Sequence, residues 1–313
     1  MTRATADLFL LTAALIWGLA FIGQATAMAH MGPLMFTGVR FLLAALVVLP
    51  FAMMEGRGTI EDGREPLPAI PAKRALPLIG IGVAFFCGAT MQQFGLLTTS
   101  VSNAGFLTAL YVVMVPAIAW VITKLTHDPD AADKAHVKIH AAIWPAAALS
   151  LLGTFLLGGG SVNGLNNGDL LIVGGAFFWA VQILALGWLA YDLRRPLMIS
   201  LIQYAVVAAL GILGGFLFET PTWVGLFAAW KEILFTGIIS GGLAFTLQSI
   251  AQAHTPPSDA AIIVSAEGLF AAAFGALLLN ERLTLQGWTG AACVLAAVLI
   301  VQLGPLIRRS GQG

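Results

Sequence analysis

Charge is what this 313-residue chain has least of. Only 10% of its residues are Asp, Glu, Lys or Arg, and formal net charge is zero. A soluble domain carries about 25% charged residues. With 59% hydrophobic residues and a mean hydropathy of +0.91, too little polar surface exists to face water, so lipid is the solvent for most of the molecule. The lack of net basic charge argues against a nucleic-acid partner. Cysteine is nearly absent: Cys87 and Cys293 each sit inside an apolar run, without metal-ligand spacing, and read as small packing residues. The five histidines are scattered, with no His-x-x-x-His or Glu-x-x-His pair. No cofactor and no metal site is expected. GGGSVNG (158–164) lacks the Lys-Ser/Thr ending of a nucleotide-binding P-loop. No obligate protein partner is evident.

What is present is a succession of long apolar runs. Segments of about 20 residues predict ten membrane spans, at 7–28, 33–54, 75–97, 102–123, 140–158, 169–190, 196–217, 232–251, 258–279 and 284–303. Two polar connections, 55–74 and 124–138, look solvated. The first span follows Arg3 and ends in ATAMA (25–29), which resembles a signal peptide with a small-residue cleavage site. It is read here as a membrane helix, because its loss would destroy the repeat described next. With the N-terminus placed in the cytoplasm, cytoplasmic segments hold twelve Lys and Arg, whereas the outer ones hold only Lys231 and Arg282. Both termini are therefore expected inside, with the chain multi-pass in the cell (inner) membrane.

The chain repeats itself. DLFLLTAALIW (7–17) and DLLIVGGAFFW (169–179) each open on Asp and reach Trp ten residues later; Arg40-Phe41 aligns with Gln203-Tyr204; Gln93 and Gln248 close spans three and eight. Five spans per half means that the halves enter the membrane in opposite senses. The expected fold is an all-α membrane protein with ten transmembrane helices in two inverted five-helix repeats, 1–158 and 159–313. Such inverted halves can alternate around a central site, as transporters do.

LLLNERLTLQGWTGAACVLAAVLI (277–300) resembles the end of the EamA repeat of the drug/metabolite transporter superfamily. FTGVRFLLAAL (36–46) and NAGFLTALYVVMVPAIAW (103–120) are similar to its first repeat. The resemblance covers nearly the whole chain. It implies export of small metabolites and is unspecific for substrate. Two departures stand out. The first repeat lacks the Glu-Arg turn, and the family's Leu-Glu-Pro in span nine reads Ala266-Glu267-Gly268 here, so a kink in span nine is not implied.

Polar groups at membrane depth carry the functional expectations, because each costs energy unless paired or wetted. Arg40 lies about 10 Å below the start of span two, and Glu267 about 13 Å into span nine, at about 1.5 Å per residue. They are expected to form an ion pair near the midplane if the two helices face each other, and to serve gating or proton coupling. Glu267 is open to three roles: structural partner, proton carrier, or ligand for a substrate amine. Gln24, Gln92, Gln93, Gln182, Gln203 and Gln248 can donate and accept hydrogen bonds to a polar solute, although each alone could simply join helices. Gln92 and Gln93 are adjacent, so at most one points straight at a cavity. Trp17, Trp179 and Tyr111 offer a wall for apolar cargo, while Trp120, Trp144, Trp223, Trp230 and Trp288 read as interfacial belt residues. Pro116 is expected to kink span four. The leading reading is a secondary transporter exporting small metabolites, amino acids or related amphiphiles, with or without a proton. The partners expected are a small-molecule substrate and the lipid bilayer. A lipid or polyprenyl-carrier flippase or a drug exporter is the alternative, and an integral-membrane enzyme, for want of a nucleophile–base pair, the least supported.

Overall fold

The structure, a computed structural model, describes residues 1–55, 69–125, 141–160, 166–278 and 284–310. The Asn280-Glu281-Arg282 turn and most of the two polar connections lie outside the described residues. Within them the chain is all-helical. The helices are α1 (Arg3–Ala27), α2 (Pro33–Met54), α3 (Ala75–Gly95), α4 (Val101–Thr108), α5 (Tyr111–Leu125), α6 (Ile143–Leu157), α7 (Asn167–Leu193) and α8 (Pro196–Phe218). Then come α9 (Trp223–Ala228), α10 (Trp230–Leu234), a π-helical segment (Phe235–Ala244), α11 (Phe245–Gln252), α12 (Pro257–Val264), α13 (Glu267–Leu278) and α14 (Leu285–Ser310). Among the described residues nine segments are long and apolar enough to cross a membrane, and α6, at 15 residues, is a shorter apolar helix in the place of the fifth expected span.

Two expected spans are each broken into a pair of helices. Span four divides at Ala109–Leu110, more than a turn before Pro116, where backbone bonds tighten to three-residue steps: Leu110 N to Leu107 O, Val112 N to Ala109 O, Val113 N to Leu110 O. Pro116, with no N–H of its own, leaves the next turn short of a bond on the same stretch. Span nine breaks at Ser265–Ala266 with no proline at all. There the Ser265 hydroxyl takes up the Ile262 carbonyl at 2.6 Å and meets the Ser150 hydroxyl at 2.7 Å. A side chain has replaced a helical partner, which bends the helix locally. The two breaks keep one register. Tyr111 and Glu267, which open α5 and α13, are 156 residues apart, and so are Val101 and Pro257, which open α4 and α12.

Polar contacts define two ends of the bundle. At the first, Arg3 bonds Asp259, Thr255 bonds Asp7, and Arg74 meets Asp192. At the second, Thr99 bonds Asp169 and Thr26 lies beside Glu232. The α2–α8 seam runs between them and is the most extensive helix pairing among the described residues. It is built on close backbone approach, since a Cβ on Gly38 would fall 2.4 Å from Ile212 N and one on Gly211 would fall 2.6 Å from Gly38 Cα.

The same seam is fastened at both ends by a reciprocal device. Glu219, directly after α8, accepts from Leu34 N (2.8 Å) and Met35 N (2.9 Å) in the first turn of α2. Glu55, directly after α2, accepts from Leu197 N (2.9 Å) and Met198 N (2.8 Å) in the first turn of α8. Both helices begin Pro-Leu-Met: the proline needs no N–H partner, and the next two donors, otherwise orphaned, meet a carboxylate at the positive helix end. Burial pushes the Glu55 carboxyl above its ordinary range, and the two N–H bonds and Arg195 pull it back. Glu55→Gln and Glu219→Gln are each expected to lower stability by about 1–2 kcal/mol. Because the sites sit at opposite ends, the losses should add, as thermal unfolding in detergent would measure.

The outer surface is apolar: Leu46, Phe51, Phe216 and Leu217 are exposed, and so are all five expected belt tryptophans. The largest core cluster instead draws on α1, α2, α3, α5, α6, α7, α8, α11, α12 and α14.

Candidate functional site

The core holds a small, partly open cavity of about 50 Å³, lined by Trp17, Phe21, Gln24, Arg40, Gln92, Thr108, Tyr111, Trp179, Ile183, Ser240, Phe245, Gln248, Val264 and Glu267. Both charged residues expected at depth face it.

They do not form an ion pair. Among the described residues the partner of the Tyr111 hydroxyl is Glu267 Oε1, which accepts its proton at 3.0 Å. The helix breaks explain the contact, because each residue opens the second piece of its span and so points inward rather than along a continuing helix. Arg40 is 4% exposed. Its guanidinium carbon stands 4.8 Å from the Phe41 ring centre and 5.3 Å from that of Phe36, and its Nε has no hydrogen-bond partner among the described residues. Aromatic faces offset part of the cost of a buried cation without a counter-ion, and the remainder is available to an anion entering the cavity.

The aromatic wall centres on Phe245. Trp179 stacks on it at 5.7 Å with an interplanar angle of 11°, and Trp17 lies 4.4 Å from it, tilted 46°. Each indole N–H is used: Trp17 Nε1 donates to the Ser240 carbonyl (3.3 Å) and Trp179 Nε1 to Gln92 Oε1 (3.1 Å). That carbonyl lies within the π-helical stretch, whose wider turns interrupt the ordinary bonding ladder. Gly18 lets α1 press against α13 beside Trp17, because a Cβ there would meet Ala271 N at 2.7 Å.

The glutamines divide. Gln24, Gln92 and Gln248 line the cavity; Gln92 Nε2 reaches Gln24 Oε1 at 3.4 Å, and Gln248 Oε1 is buried without a donor among the described residues. The other three do not line it. Gln93 donates to the Gln24 carbonyl at 2.9 Å, and Gln182 donates to Gln203 at 3.0 Å, which joins α7 to α8. Phe21, Thr108, Ile183, Ser240, Phe245 and Val264 were not expected from the sequence. Their apolar or small side chains carry no mark of depth, and only the fold brings them inward.

Comparison with known proteins settles the family. The sequence profile of the EamA-like transporter family matches residues 4–128 and 166–303, once in each half. This chain belongs to that family. EamA-like transporters form part of the drug/metabolite transporter superfamily. Two curated relatives from Archaeoglobus fulgidus, each described as an uncharacterized transporter, are similar along nearly the whole chain. One is 34% identical over 305 residues, covering 96% of this chain and 87% of the relative. The other is 25% identical over 301 residues, covering 95% and 97%. A solved crystal structure shares the fold, with a TM-score of 0.73 at 19% identity over 98% of this EamA-like chain and 99% of the other. The chain is thus a multi-pass membrane transporter.

Proposed function

We propose that this EamA-like protein is a ten-span secondary transporter of the inner membrane, with both termini cytoplasmic. In this reading it exports small amphiphilic metabolites of the amino-acid class, coupled to a proton, by alternating access of two inverted five-helix repeats. The observation that carries the reading is the placing of Arg40 and Glu267 on one cavity without an ion pair between them. A zwitterion supplies what each lacks: its carboxylate meets the guanidinium, its ammonium meets the carboxylate, and its side chain lies on Trp17, Phe245 and Trp179. The shared register of the two broken spans supports the repeat, and discontinuous helices at a central site are how many secondary transporters bind solutes. Glu267 is the group assigned to the proton, because Tyr111 is its hydrogen-bond partner and no cation neutralises it within the described residues. A flippase for a phosphorylated lipid carrier would need several cations for its head group, and Arg40 is the cation lining this cavity.

Purified protein in liposomes, offered a panel of labelled amino acids with and without an imposed pH gradient, tests the reading. Accumulation driven by the gradient is expected. Equilibration that ignores the gradient would remove the proton from the scheme, and no uptake of any panel member would overturn the amino-acid assignment.

A further inference from the structure

Beyond the cavity, two hydrogen-bonded pairs at opposite ends of the bundle share one design. At the second end the Thr99 hydroxyl, in the turn before α4, donates to Asp169 Oδ1 in the first turn of α7 at 2.9 Å. At the first end the Thr255 hydroxyl, in the turn before α12, donates to Asp7 Oδ1 near the start of α1 at 3.0 Å. All four side chains are buried: Asp7 is 5% exposed, Asp169 4%, Thr99 7% and Thr255 0%. Thr99 and Thr255 stand in the same register as Tyr111 and Glu267. Asp7 and Asp169 are the residues that open the two matching Asp-to-Trp stretches of the sequence. Each pair joins one half to the other, since α1 is tied to the broken span of the second half and α7 to that of the first.

What each pair holds is an eight-residue helix with a hinge at its far end. α4 runs from Thr99's turn to the break at Ala109–Leu110, and α12 runs from Thr255's turn to the break at Ser265–Ala266. Their last residues, Thr108 and Val264, line the cavity. A short rigid piece that is hinged at the cavity and pinned at the bundle end is suited to swing. We propose that α4 and α12 are the two gates of the cavity, and that Thr99–Asp169 and Thr255–Asp7 are the latches that hold them shut. The proposal rests on the alternating-access reading above and adds its moving parts.

The latches are unequal. The first-end latch is reinforced by charge: Arg3 reaches both Asp7 and Asp259, and Asp259 sits in the first turn of α12 itself, fully buried. The second-end latch has neutral helpers. Asn166 caps α7 through Asp169 N and binds the Thr98 carbonyl at 3.1 Å. The second-end gate therefore opens more readily in the resting protein, and transport requires the ion-paired end to be released.

The test reads access rather than transport, so it stands whether or not the cargo is known. In full-length protein carrying Cys87→Ala and Cys293→Ala, Thr108→Cys reports entry of a membrane-impermeant thiol reagent from either side of oriented vesicles. Wild-type latches should give faster labelling from the second end. Thr255→Val should raise labelling from the first end about tenfold, and Thr99→Val should raise it from the second end, because a buried hydroxyl–carboxylate bond is removed from one closed state alone. Thr255→Ser and Thr99→Ser, which keep the hydroxyl, should label as wild type. Equal acceleration from both sides in either valine variant, or none, overturns the proposal. Hydrogen exchange on the unmodified protein needs no variant to fold: residues 101–108 and 257–264 should exchange faster than residues 111–125, with 101–108 the faster of the two. Exchange in both half-helices as slow as in α1 would likewise overturn it.

Discussion

Glu267→Gln is expected to reduce gradient-driven uptake to the leak level while solute exchange across the membrane continues. Glutamine has nearly the volume of glutamate, and its carbonyl oxygen still accepts the Tyr111 hydroxyl at the 3.0 Å position, so the junction between α5 and α13 survives. What it cannot do is release a proton. If the proton is carried at this position, a pH gradient has nothing to act on, yet a solute loaded on both sides still trades places through a symmetric cycle. Uptake and counterflow measured on one preparation separate the two. Tyr111→Phe provides the graded companion: losing one hydrogen bond to a charged group costs about 1.5–3 kcal/mol and should slow the coupled cycle without uncoupling it. A Glu267→Gln protein that still concentrates solute would leave Glu267 a structural partner of Tyr111.

Arg40→Gln should separate function from stability. An arginine buried over Phe36 and Phe41, with no ion-pair partner among the described residues, has given up hydration without full repayment from the protein. Its removal should leave the unfolding temperature in detergent unchanged or higher, as happens where a site is kept at a cost to stability. Solute affinity should meanwhile fall by about 2–3 kcal/mol, roughly 30- to 150-fold, the worth of a charge-assisted bond in a dry site. Calorimetric binding and thermal unfolding on the same sample check both halves. A fall in unfolding temperature with binding intact would identify Arg40 as scaffold instead.

Membrane energetics made part of this site legible before any fold was known. Arg40 and Glu267 stood out because a charge inside an apolar run is expensive, and Trp17 and Trp179 because they recur at one place in two repeats. Their partners were another matter. The sequence placed Arg40 and Glu267 at similar depth but could not give the rotation of each helix about its axis, and it is rotation that hands Glu267 to Tyr111. Among the glutamines the same unknown decided the outcome: Gln92 faces the cavity, while Gln182 and Gln203 face each other. Phe245 was invisible because it follows a Gly-rich stretch, Gly237 to Gly242, whose π-helical winding no ordinary helical period anticipates. The break in span nine was missed for a chemical reason. A proline announces itself, whereas a serine such as Ser265 reads as a small helix-contact residue until its hydroxyl is seen to hold a carbonyl.

The paired carboxylates of the α2–α8 seam bear on how the chain is assembled. As synthesis proceeds, α2 reaches the bilayer long before Glu219 has been made, and Glu55 waits equally for Leu197 and Met198. Neither half is finished alone, because each ends with an unmet donor set at one face of the membrane and an unmet acceptor at the other. Yet each half holds one of both kinds. A half laid beside an upside-down copy of itself could close the same two fasteners, Glu55 of each on Leu34 and Met35 of the other. In a single polypeptide the seam holds the same two fasteners that a pair of oppositely inserted chains would need to join.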